Sequence, residues 1–177
     1  MVLDMGAEYP CLTIFVVATM GNLGQTVHNI VDAGRANPAD SVPNRASLCA
    51  YPDKLVAGVE HIDNMLAAQY KLAVMQEYNN SWSQGKPVVF FASFAQRMSS
   101  AGYYYPGKLV KTQAFLESAT FRYLSLGRMY NVNSDYTNAQ MSVSGVVVVP
   151  DFVSNATMTS IVESLSAKYR LGEEWGA

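Results

Sequence analysis

Thr19, Gly21, Asn22 and Gly24 lie in VVATMGNLGQTV (residues 16–27), where an apolar run gives way to a hydroxyl, an amide and two glycines. These residue types suit an oxyanion, because glycines let backbone N–H groups approach it and a helix that follows adds the positive end of its dipole. Arg97 brings a guanidinium that could hold a phosphate through a bidentate fork, or else make a surface ion pair. Ser93 supplies a hydroxyl, and Tyr103, Tyr104 and Tyr105 supply faces that could stack on a ring or pack in a loop or oligomer contact. The mixture fits a phosphate-bearing aromatic ligand. It is not a Walker loop, since no Gly-Lys-Ser or Gly-Lys-Thr follows, and Ala18 and Met20 interrupt the dinucleotide fingerprint.

His28 and Asp32 are four apart and could meet on one side of a helix as a base and its orienting carboxylate. A solvated pair is the simpler reading, because both lie off the apolar stripe. His61 in EHID points away from the side shared by Glu60 and Asp63. Two histidines cannot build a His-rich metal site, and Cys11 and Cys49 are too few for a four-Cys zinc site or a disulfide scaffold. Both cysteines are expected as reduced core residues, and no metal is expected. No Gly-x-Ser-x-Gly elbow occurs, so the sequence assigns no catalytic residue.

The elements that must position these groups follow from apolar periodicity. LTIFVVA (residues 12–18) reads as a strand buried on both faces, the habit of a parallel sheet. Asn22 and Gln25 stand in capping-box positions for a helix over 22–34, stopped by Gly34. Residues 35–52 read as a connecting loop in which SLCAY could hide a short strand. Asp53 then opens the longest helical pattern, with Leu55, Val59, Ile62, Leu66, Tyr70 and Val74 on one side, ending at NNSWSQG. PVVFFASF (87–94) is a second strand, and after AGYYYPG a helix is predicted from Lys108 to about Met129. The valines of 143–149 mark a third strand, and a last helix begins at Ser154 or Asn155 and stops at Gly172.

This alternation predicts an α/β fold: one domain over residues 1–177, a three-layer sandwich with a mainly parallel sheet of three to five strands. The alternative is a mostly helical bundle in which PVVFFASF is helical. In the parallel sheet, Thr19–Asn22, Ser93–Tyr105 and Asp151–Asn155 would gather beyond one edge, where open α/β sheets bind ligands.

A hydroxyl residue and Gly21-Asn22 after the first strand are similar to the phosphate loop of the flavodoxin-like family, and GKPVVFFAS followed by a helix and LGRMYNV resembles that family's fourth strand and next helix. The two segments cover residues 12–34 and 85–132. The resemblance implies flavin mononucleotide (FMN) as cofactor, its phosphate held by Thr19, Gly21 and Asn22 and its ring near Tyr103–Tyr105. A flavin-dependent oxidoreductase would follow, with the redox chemistry supplied by the cofactor.

Composition points to a second class of function. Only 15% of residues are charged, against about 25% in an average chain, and the net charge is -2. A surface this neutral suits a homo-oligomer, and hence a non-catalytic, self-assembling structural or scaffold protein or lattice component. With no basic block, nucleic acid is not an expected partner. The run Cys11–Met20 is too short to span a bilayer and follows Asp4 and Glu8 rather than basic residues, so no membrane association and a cytoplasmic location are expected.

Overall fold

A computed structural model describes residues 2–22, 28–34, 45–50, 55–63, 67–75, 83–95, 98–114, 120–127 and 140–176. Among them run the strands β1 (Val2–Tyr9), β2 (Leu12–Met20), β3 (His28–Gly34), β4 (Arg45–Ala50), β5 (Leu55–Asp63), β6 (Ala67–Met75), β7 (Pro87–Ala95), β8 (Met98–Tyr105), β9 (Lys108–Ala114), β10 (Phe121–Leu126) and β11 (Met141–Val149). The helices α1 (Asn155–Lys168) and α2 (Leu171–Trp175) close the chain. The strands form a six-stranded sheet, β1-β10-β3-β4-β5-β6, and a five-stranded sheet, β11-β2-β7-β8-β9. Every pairing is antiparallel. Both the parallel α/β sandwich and the helical bundle are therefore corrected to a β-sandwich.

The three strands expected from β-branched and aromatic runs are present as β2, β7 and β11, side by side in the smaller sheet. β2 is also buried on both faces. On one face, Ile14, Val16, Val88 and Phe90 meet Ile30, Leu48 and Leu124 of the larger sheet. On the other, Phe15, Val17, Val89 and Phe91 pack against Met158, Val162 and Leu165 of α1. A continuous apolar run reports that both faces are dry. Here an antiparallel sheet achieves this because the C-terminal helix covers the face that the other sheet does not.

The remaining expected helices are corrected to strands. The helix of 22–34 is replaced over 28–34 by β3, and residues 23–27 lie outside the described ones. The long helix from Asp53 is a hairpin in which Leu55–Asp63 pairs with Ala67–Met75. Its Ala, Leu, Met, Glu, Lys and Gln favour a helix locally, and the sequence places no Gly or Pro between the two strands; residues 64–66 lie outside the described ones. Sheet context overrides that preference. The helix from Lys108 is replaced by β9 and β10. There the turn was written in the sequence: Tyr105 pairs with Lys108 across Pro106-Gly107, and Gly107 has φ +82°, which the third position of a type II turn requires.

α1 starts as expected, with the Ser154 Oγ accepting the Thr157 N–H at 3.1 Å. Its end differs from expectation. Arg170 takes the left-handed conformation, φ 51°, and turns the chain into α2, which contains Gly172. Trp175 on α2 donates from Nε1 to the Pro87 carbonyl at 2.8 Å and stacks on Tyr105 with centroids 4.6 Å apart, tying the helical cover to the start of β7 and the end of β8.

Candidate functional site

Antiparallel pairing disperses the residues expected at one sheet edge. Thr19 is half-buried near the end of β2, opposite Pro87 and Ser142. Thr13, at the other end of β2, is opposite Ser93. Six residues of strand separate these levels, roughly 20 Å at 3.4 Å per residue. The Gly21 N–H donates to the Gln140 carbonyl at 2.7 Å, and Asn22 is exposed. Gly24 and Arg97 lie outside the described residues.

The hydroxyl of Ser93 is structural. It is buried with its Oγ 2.6 Å from Thr13 Oγ1, while Thr13 Oγ1 donates to the Asp151 carbonyl at 2.7 Å and faces the Val153 N–H at 3.4 Å. Tyr103 is wholly buried between the sheets, whereas Tyr104 packs on the opposite face, against the helical cover. The two rings cannot flank one ligand. With Thr19 and Ser93 at opposite ends, the flavin site at the C-terminal edge of a parallel sheet is overturned: no such edge exists among the described residues.

His28 and Asp32 are separated by backbone irregularity rather than united by a helix. The register of β3 against β4 shifts between Asn29 and Val31, so His28 is opposite Ala50 and Asp32 is opposite Ser47. Ala50 belongs to the core between the sheets and Ser47 to the outer face. A bulge therefore sends the pair to opposite faces. The Nδ1 of buried His28 accepts the Gln140 N–H at 3.3 Å, which gives this histidine a structural role.

The two outer faces of the sandwich differ. That of the five-stranded sheet is sealed by α1 and α2 over an apolar cluster. That of the six-stranded sheet carries polar groups from three neighbouring strands: Asp32 pairs with both Ser47 and Ser125, and Asn29 pairs with Cys49. Asn29 and Asp32 are each only 3% exposed. Cys49 Sγ is 3.8 Å from Asn29 Oδ1 and from Ser47 Oγ. The Asn29 Nδ2 has no hydrogen-bond partner among the described residues. A buried donor without an acceptor costs about 1–3 kcal/mol, and at 3% exposure this amide is closed to solvent.

An open rim adjoins this centre at β1 and β10. Arg122 grips Asp4 with two donors, Nε to Oδ1 at 3.1 Å and Nη2 to Oδ2 at 3.2 Å. The guanidinium carbon also lies 5.3 Å from the centroid of the Tyr123 ring. The Arg122 hydrogen bond, with help from the Gly6 N–H at 2.8 Å, holds the Asp4 carboxyl below the usual carboxylate range. Asp4 is opposite Tyr123, and the same register row continues through Gly34, Arg45, Glu60 and Tyr70 across the sheet. Sequence reading missed this set: Asp4 and Arg122 are 118 positions apart, and Arg122-Tyr123 fell inside an expected helix. Among the described residues, no group of three or more His, Cys, Asp or Glu could hold a metal ion.

No family model matches the chain, and no curated protein matches it. Solved structures do. The CBM40 of a Ruminococcus gnavus IT-sialidase, bound to alpha2,3 sialyllactose, superimposes with a TM-score of 0.63 at 9% identity, covering 87% of this chain and 83% of that one. The chain shares its β-sandwich fold. The binding domain of botulinum neurotoxin serotype D matches with a TM-score of 0.59 at 12% identity, over 89% of this chain and 36% of the other. Domains LG4-5 of the mouse laminin alpha1 chain match with a TM-score of 0.59 at 13% identity, over 86% of this chain and 40% of theirs. The chain thus spans most of the first structure and well under half of the other two. None of these is a flavin-binding fold, which also removes the implied oxidoreductase.

Proposed function

We propose that the chain is a glycan-recognition domain that binds sugar on the outer face of its six-stranded sheet. The observation that carries this reading is the contrast between the two outer faces: one sealed by α1 and α2, the other bearing the Asp4–Arg122–Tyr123 rim, whose charged pair reaches solvent. Sugars present hydroxyls that both donate and accept, next to patches of C–H. A carboxylate and a guanidinium meet the first requirement, and a tyrosine ring meets the second. The ion pair keeps both charged groups in fixed orientation, so less entropy is lost on binding. Similar structures lend support: the R. gnavus domain is bound to sialyllactose, and a neurotoxin binding domain has the same fold. This reading replaces both the flavin site and the scaffold alternative.

A glycan array followed by titration calorimetry tests it. At least one glycan class is expected to bind, and Arg122→Ala is expected to weaken it about tenfold, roughly 1.4 kcal/mol. Absence of binding to every arrayed glycan, or affinity unchanged in both Arg122→Ala and Tyr123→Ala, would overturn it.

A further inference from the structure

The two sheets do not match in width. β4 packs over β7, β5 over β8 and β6 over β9. Carried along the strand orders, this places β3 over β2 and β10 over β11. The methyl carbon of Met141, at the start of β11, confirms the last step: it comes within 3.4 Å of where a Cβ on Gly127 would stand, just beyond β10. β1 then overhangs, with no strand of the smaller sheet opposite it among the described residues. Leu3 bears the consequence. It is opposite Leu124, a core residue, and so faces the smaller sheet, yet it is 45% exposed.

The strand beside that gap is chemically unlike the other edges. β1 carries Asp4 and Glu8, β6 carries Lys71, and β9 carries Lys108 and Lys111. Such charges are the usual protection of an edge against further strands. β11, MSVSGVVVV, has none. Its bulge between Val143 and Gly145 protects only the first half, and the run from Gly145 to Val149 pairs regularly with β2. Among the described residues no strand lies on its other side, and Val143 is 41% exposed. Leu3 and Val143, the exposed large hydrophobics of the described chain, border the same gap.

We propose that β11 is a docking edge for an extended segment of a partner polypeptide, which adds as a sixth strand to the smaller sheet beneath the overhanging β1. Among the described residues the gap is one strand wide. An incoming strand would pair its main chain with the outward N–H and C=O groups of β11 and place alternate side chains toward Leu3. The segment it fits is uncharged, apolar at alternate positions and free of proline over about five residues, the length of the regular run from Gly145 to Val149. A second copy of this chain pairing through its own β11 fits less well, because β1 of each copy would then meet β10 of the other over the same strand.

The probe is a fluorescein-labelled peptide with three Thr-Val repeats between terminal lysines, followed by anisotropy and by hydrogen–deuterium exchange of the intact protein. Saturable binding with slowed exchange confined to β11 is expected. Leu3→Lys and Val143→Lys alter side chains already exposed, so they should fold with an unchanged circular dichroism spectrum, and each should weaken binding at least tenfold. A peptide with proline in place of its two central residues should not bind. No binding of the repeat peptide at 1 mM, or equal binding by both variants, overturns the proposal. So does light scattering that shows a wild-type dimer abolished by Val143→Lys, since a second copy would then occupy the edge.

Discussion

Replacing Thr13 by valine tests whether the hydroxyls at the Asp151 end of β2 are structural. A hydroxyl has one proton and two acceptor sites. Thr13 donates its proton to the Asp151 carbonyl, so the 2.6 Å contact with Ser93 requires Ser93 to be the donor there, and the Val153 N–H takes the second acceptor position at a longer 3.4 Å. Thr13 Oγ1 is thus fully used. Valine has nearly the same shape and removes all three interactions, orphaning the buried Ser93 hydroxyl and Val153 N–H while the exposed Asp151 can turn to water. With about 1 kcal/mol net per hydrogen bond, less for the long Val153 contact, and a similar penalty for each orphan, Thr13→Val should cost about 4–5 kcal/mol. Ser93→Ala removes one donor and should cost about 1 kcal/mol. In the double variant the Ser93 orphan no longer exists and the Thr13–Ser93 bond is lost once rather than twice, so the summed single costs should exceed the double by about 2 kcal/mol. Urea denaturation followed by circular dichroism would read the Thr13→Val cost as a midpoint shift of about 2 M, taking a slope near 2 kcal/mol/M. A Thr13→Val cost below about 1 kcal/mol, or strict additivity, would refute the assignment.

Other outcomes follow from single contacts. A Cβ on Gly102 would run into the Val110 carbonyl and the Phe91 ring, so Gly102→Ala should lower stability by about 3 kcal/mol or more, visible as a fall in Tm. Arg170→Gly relieves a left-handed arginine whose ion pair with Glu173 is exposed and 3.9 Å long, and should raise stability by about 0.5–1 kcal/mol in the same urea assay. Asp4 should titrate, by NMR of its side-chain carbonyl, below the ordinary 3.8, and Arg122→Ala should move it back up. Because the folded value is the depressed one, the contribution of this pair is complete above the ordinary value and is lost as pH falls through the folded value. Glycan binding through the rim should then be flat between about pH 5 and 8 and decline only in strong acid.

How much of the site could be read beforehand follows from how its residues are joined. Thr19 belongs to β2 itself, Gly21 and Asn22 follow the end of that strand, and the Gly21 N–H is taken by Gln140. The glycine there is required by that approach: a Cβ on Gly21 would stand 3.1 Å from the Gln140 carbonyl oxygen. Glycine in a turn records close approach without saying what approaches. The polar face of the larger sheet gave no local sign at all. Asn29, Asp32, Ser47 and Ser125 become neighbours through register, and the bulge in β3 decides which of His28 and Asp32 joins them.

The amino-acid order by itself determined β2, β7, β11 and α1. Their β-branched runs or capped apolar stripe leave one low-energy backbone state, and the continuous apolar character of β2 correctly required cover on both faces. Only the tertiary structure decided what that cover is and which way the strands run. Parallel and antiparallel strands have nearly the same backbone angles and side-chain alternation, so the choice between them rests on how distant segments connect. In the larger sheet, Ala- and Leu-containing segments with helical preference became strands because pairing with neighbours outweighs a preference of a few tenths of a kcal/mol per residue (about 0.7 at most).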